Sequence, residues 1–102
     1  MNAALHKTIR GWILRVLHIS HPVPLNERNV FLTMNDIMPE ITEKDIASEM
    51  SYLRDKAYVE SSLKKIALLQ EEMWLHKITS KGIDLMERNL PEDPGVEVPG
   101  GL

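Results

Sequence analysis

TEKDIASEMSYLRDKAYVESSLKKIALLQEEMWLHKITSKG, residues 42–82, carries the ordered signals from which the fold can be read. After Thr42 the apolar residues Ile46, Met50, Leu53 and Ala57 recur at helical spacing, which predicts a helix over about 43–56 with one buried face. Asp45 stands three residues after Thr42, the place of the acidic partner in a capping box, where Glu or Gln is more usual. Burying that face turns Lys44, Ser48, Ser51, Tyr52 and Asp55 outward, because successive helical side chains step by about 100°. Tyr58-Val59-Glu60-Ser61-Ser62-Leu63 and Met73-Trp74-Leu75-His76-Lys77-Ile78-Thr79 read as antiparallel strands. The link between them, 64–72, is long for a hairpin and contains the apolar group Ile66-Ala67-Leu68-Leu69, a candidate packing surface. Ser80 is then placed to cap a last helix over about 81–89, with Ile83 and Met86 facing inward.

Upstream, Leu5, Ile9, Trp12, Ile13, Val16 and Leu17 form one apolar stripe, so residues 3–18 are expected to be the first helix. Leu14 falls off that stripe and is expected to be partly exposed, as at a subunit contact. His21-Pro22-Val23-Pro24 stops the helix, since proline lacks a donor N–H and pushes its predecessor toward extended geometry. A short extended piece near 23–25 follows. Asn26 caps a second helix over about 27–38, with Val30, Phe31, Met34 and Ile37 inward, and Pro39 ends it. Ile41 offers an apolar plug in the short turn. Residues 1–90 thus read as one domain, and the Pro- and Gly-rich segment 91–102 as a flexible tail, disordered or an extended arm.

The 102-residue chain is 43% hydrophobic, enough for a single core without staples. It has no cysteine, hence no disulfide framework or thiolate chemistry, which fits a reducing cytoplasm. No apolar run reaches the roughly 18 residues of a membrane span, so no membrane association is expected. The net charge of −3 opposes nonspecific nucleic-acid binding. Its distribution is uneven: residues 1–30 carry Lys7, Arg10, Arg15 and Arg28 against Glu27 alone, whereas 81–102 are acidic. An anionic partner would favour the N-terminal part.

The succession helix, short strand, helix, tight turn, helix, strand, link, strand, helix resembles the winged helix-turn-helix domains of bacterial regulators. Residues 41–60 look like their recognition helix and first wing strand, and residues 74–86 like their second wing strand and closing helix. The layout with its trailing Asp93-Pro94-Gly95-Val96 is also similar to small winged-helix proteins of Mu-like prophages. The resemblance implies an α+β, mostly α fold with a three-helix core, a β-hairpin wing and a C-terminal helix. It also implies a cytoplasmic homodimeric transcriptional regulator that binds double-stranded DNA. In that arrangement the third helix enters the major groove while the wing and first helix touch phosphate or the minor groove. Lys44, Ser48, Ser51 and Tyr52 would face bases or phosphates, with Lys64 and Lys65 on the wing. Two departures stand out: Ala57 replaces the glycine common at the exit of the third helix, and Asp45, Glu49 and Asp55 make that helix acidic.

The alternative function is a winged-helix protein-interaction module without DNA binding, because a fold hosts more than one function. Leu14 and the apolar group 66–69 would then carry the contact. His18-Ile19-Ser20-His21 has ligand-like spacing but no cysteine or carboxylate cluster to complete a metal site. His6 reads as a surface residue and His76 as a strand residue. The pair Glu71-Glu72 reads as loop charge. With no phosphate-binding glycine loop and no nucleophile motif, neither enzymatic activity nor a cofactor is expected. The methionines read chiefly as core packing.

Overall fold

The computed structural model describes residues 2–100, about half of them helical. Helix α1, Ala3–Ser20, starts where the Asn2 side chain accepts the Leu5 N–H at 2.9 Å and runs two residues beyond its expected end. It is surrounded by the other elements, and Ile9, Gly11, Ile13, Leu14, Val16 and Leu17 are all buried. Leu14 is therefore a core residue, not an exposed one. A helix covered from several sides buries more than the stripe its apolar spacing picks out.

Strand β1 is only Leu25–Asn26, and Asn26 also caps α2, Glu27–Ile37, by accepting the Asn29 N–H at 2.7 Å. Val30 and Met34 are buried and Phe31 is half-buried, but Ile37 is exposed because α2 is already ending there. Ile41 plugs the turn. Helix α3, Glu43–Asp55, forms with the full capping box, Asp45 N–H to Thr42 Oγ1 at 3.1 Å and Thr42 N–H to Asp45 Oδ2 at 3.0 Å. Asp has the shorter side chain but still reaches back, so the helix start is fixed locally. The chain leaves α3 through Ala57 at φ 64°, a left-handed position that costs alanine about 1 kcal/mol relative to glycine.

Strands β2, Val59–Ile66, and β3, Glu71–Ile78, pair antiparallel from Val59↔Ile78 to Ile66↔Glu71, and the sheet order is β1-β3-β2. The expected long link is thus mostly strand, with a short turn at 67–70. Its polar sequence hid the strands because the hairpin runs past the body, where neither face is buried deeply enough to impose an apolar alternation. The apolar group 66–69 does not pack beneath the hairpin; Leu68 is 97% and Leu69 64% exposed at its tip. Helix α4, Ser80–Met86, is capped by Thr79, whose hydroxyl accepts the Gly82 N–H at 3.1 Å, so Ser80 is its first residue and not its cap. Leu85 and Met86 are buried and Ile83 packs on the core.

The tail is an extended arm laid on the body. Gly101 and Leu102 lie outside the described residues. Val96 is buried in the core, Glu97 N–H donates to the Lys7 carbonyl at 3.1 Å, and Arg15 reaches the Pro99 carbonyl at 3.2 Å. The core consequently extends past the expected domain limit at residue 90. Among the described residues, no helix is long and apolar enough to cross a membrane.

Candidate functional site

Helix α3 packs inward through Ile46, Met50 and Leu53 and turns its opposite face to solvent. Lys44, Ala47, Ser48 and Asp55 are exposed there and Ser51 is half-exposed. Most of the expected reading face is thus accessible.

Two residues do not occupy the places expected of them. Glu49, counted among the exposed acids of α3, is only 2% exposed. It is held from α1 by Arg10 Nε at 3.1 Å and by His6 Nδ1 at 2.5 Å, so it is turned into the α1–α3 contact and away from the outer face. Tyr52 is half-buried. The Arg10 guanidinium lies 3.5 Å from its ring centroid, and a Cβ at Gly95 would come within 2.0 Å of its hydroxyl, so the tail passes directly against it. Tyr52 is a bracket between α3, α1 and the tail and is not free to meet a base.

The tail is clamped by Asp93. Its carboxylate accepts the Tyr58 hydroxyl at 2.6 Å and the Gly95 N–H at 2.7 Å, and lies 3.3 Å from Lys56 Nζ. Burial opposes the charge on Asp93, but these donors outweigh it and hold the carboxyl below its ordinary value. Burial, reinforced by the Asp93 hydrogen bond, pushes the Tyr58 hydroxyl well above its ordinary value. A carboxyl with a depressed folded pKa contributes stability above its unfolded value near 3.9, and that contribution is lost as pH falls through the folded pKa.

On the hairpin, residues Ser61, Leu63 and Lys65 share the face that looks toward α3, opposite His76, Trp74 and Glu72. Lys64 is exposed on the other face. Lys65 lies 3.9 Å from Glu72, a loose and exposed pair. Trp74 stays exposed with the Arg54 guanidinium 5.5 Å from its ring centroid. Between the hairpin and the first turns of α2 and α3 lies a groove lined by Glu27, Arg28, Glu43, Glu71, Glu72 and Trp74. Arg28 pairs with Glu43, which leaves the groove acidic. This negative strip adjoins the lysines expected to meet phosphate.

His76, read from sequence only as a strand residue, is fully buried and joins four elements. Glu27 Oε1 lies 3.2 Å from Nε2, and Ser61 Oγ lies 2.6 Å from Nδ1. A carboxylate can only accept, so Nε2 carries the proton and donates to Glu27. Nδ1 then accepts from Ser61, whose oxygen in turn accepts from Arg54 at 3.4 Å. The chain Arg54, Ser61, His76, Glu27 is complete with the imidazole neutral. Burial lowers the His76 pKa, helped by the Arg54 charge, while Glu27 partly offsets the shift. Because the unfolded chain binds the proton more readily, stability should decline as pH falls below about 6.5, by at most about 1.4 kcal/mol per pH unit. Urea titrations at pH 7.5 and 5.5 should show this decline in the wild type and a shallower one in His76→Gln; equal slopes would exclude His76 as its source.

Among the described residues, no group of three or more His, Asp and Glu side chains is arranged to hold a metal ion. Comparison of the chain with family models, with curated proteins and with solved structures finds no match. Fold and surface define an α+β domain with, among the described residues, four helices and a three-stranded antiparallel sheet, and with a hairpin beside a helix whose outer face is open to solvent.

Proposed function

We propose that this chain is a winged-helix protein that binds double-stranded DNA as a homodimer, a transcriptional regulator of bacterial or prophage kind. Helix α3 enters the major groove and the β2–β3 hairpin serves as the wing. One observation carries the reading: α3 is fixed to the core by one face while the other presents small and polar residues, Lys44, Ala47, Ser48 and Ser51, beside a projecting lysine-bearing hairpin. Small side chains let a helix approach base edges closely, and the lysines supply phosphate contacts. The reading set is Lys44, Ser48, Ser51 and Lys65, without Tyr52, which Arg10 and the tail occupy, and without Lys64, which lies on the hairpin face turned away from α3.

The groove lined by Glu27, Glu43, Glu71 and Glu72 repels phosphate, so one protomer binds weakly and two half-sites are needed for useful affinity. Anisotropy titrations against genomic fragments at low salt test the reading. Lys44→Glu combined with Lys65→Glu is expected to weaken binding by at least about tenfold and to flatten its salt dependence by roughly one unit of slope per lost phosphate contact. No binding at concentrations on the order of tens of micromolar, or a variant that binds like wild type, would refute it.

A protein-interaction role without DNA is the second reading, supported by the same acidic groove and by the exposed Leu68 and Leu69 at the hairpin tip.

A further inference from the structure

Among the described residues, the sheet order β1-β3-β2 leaves the outer edge of β2, Val59–Ile66, without a strand partner. An open edge of that length exposes backbone donors and acceptors to any extended chain. Lysines on an edge strand commonly block such pairing, because an edge of one charge repels its own copy. Here the charges have both signs and a centre of symmetry. Glu60 stands two residues before Ser62 and Lys64 two residues after it, all three on the same face of the sheet.

We propose that β2 pairs antiparallel with β2 of a second copy of this chain, about a two-fold axis through Ser62, giving a continuous six-stranded sheet. A two-fold axis perpendicular to a sheet places residues of equal parity opposite one another, so each possible register is named by the residue on the axis. With Ser62 there, Glu60 faces the partner's Lys64 and Lys64 faces the partner's Glu60. Moving the axis to Ser61 sets Glu60 against Ser62, and moving it to Leu63 sets Glu60 against Ile66. Only the Ser62 register makes both ion pairs.

Directly opposed residues on adjacent antiparallel strands have Cβ atoms about 4.5–5.5 Å apart, within reach of a Glu–Lys pair. Among the described residues, neither Glu60 nor Lys64 forms an ion pair within the chain, so both are available. Lys65 points to the α3 side of the hairpin, which separates the two lysines by role: Lys64 for the partner, Lys65 for an anion facing α3. The inference supplies a contact for the homodimer in the function proposed above but does not depend on DNA.

Sedimentation equilibrium of the full chain without DNA tests it, with four proteins compared: wild type, Glu60→Lys, Lys64→Glu, and the double swap Glu60→Lys with Lys64→Glu. These exposed positions leave the fold intact, which circular dichroism checks. The expected result is a wild-type dimer, a dissociation constant raised about tenfold or more in each single reversal, and recovery toward wild type in the swap. A wild-type monomer at concentrations on the order of hundreds of micromolar would overturn the proposal. So would a dimer indifferent to the single reversals, or a swap no better than they are. DNA binding is measured separately, so a dimer that behaves as expected yet binds no DNA removes only the functional reading.

Discussion

Glu49→Ala is expected to destabilise the fold by about 3–5 kcal/mol, the range typical of breaking a buried ion pair from one side. Glu49 is 2% exposed and accepts from two α1 side chains, so both of its oxygens are used. Removing it leaves Arg10, itself mostly buried, with only the Gly95 carbonyl at 3.1 Å and the Tyr52 ring as partners among the described residues. The cost is therefore mainly that of a stranded guanidinium, not the net worth of the pair. Glu49→Gln keeps the shape and one acceptor and should lose less. Glu43→Ala is the internal control. Its pair with Arg28 is more than half exposed on both sides, and exposed pairs contribute about 0–1 kcal/mol. Urea denaturation at neutral pH measures all three, and a Glu49→Ala protein within 1 kcal/mol of Glu43→Ala would refute this account of the α1–α3 contact.

What the sequence made legible is what short-range chemistry determines. The start of α3 depends on Thr42 and Asp45, three residues apart, and its inner face on Ile46, Met50 and Leu53; all of these are where the spacing puts them. The exposed Lys44 and Ser48 follow from the same periodicity. The misreadings share a different cause, partners far away in the chain. Nothing near Glu49 announces that Arg10 and His6 will hold it from α1, and nothing near Leu14 announces that α1 will be covered on several sides. His76 was partly decipherable: it has the same strand parity as the buried Ile78, so an inward histidine could have been inferred, though not its link to Glu27 at the start of α2. The hairpin was underestimated for the opposite reason. Its outer half has no buried face, and apolar alternation is the signal by which strands are recognised. For the tail, composition left disorder and an extended arm both open; the arm is what forms, and its docking was not legible because its partners on α1 are far away in the chain.

The tail's docking surface makes a second large effect expected, with a specific non-additivity. Gly11 lies in the middle of α1, where glycine costs about 1 kcal/mol relative to alanine. A Cβ there would come within 1.7 Å of the Glu97 carbonyl oxygen and 2.8 Å of its carbon, both backbone atoms that no rotamer change can move aside. Gly11→Ala must therefore lift the tail. Its cost, about 1–3 kcal/mol, is capped by the free energy of docking, because the chain entropy regained on release offsets the lost burial of Val96 and the lost hydrogen bonds. Gly95→Ala reaches the same released state from the other side, by driving a Cβ to within 2.0 Å of the Tyr52 hydroxyl. The double variant should then be no less stable than the worse single, and the improved α1 propensity should make it slightly better. Stability by urea titration and the rate of proteolytic cleavage within 91–100 give the two readouts: faster cleavage in both singles, with no further acceleration in the double. Simple additivity of the two costs would mean that each glycine serves its own local contact and that the arm is not released as a unit.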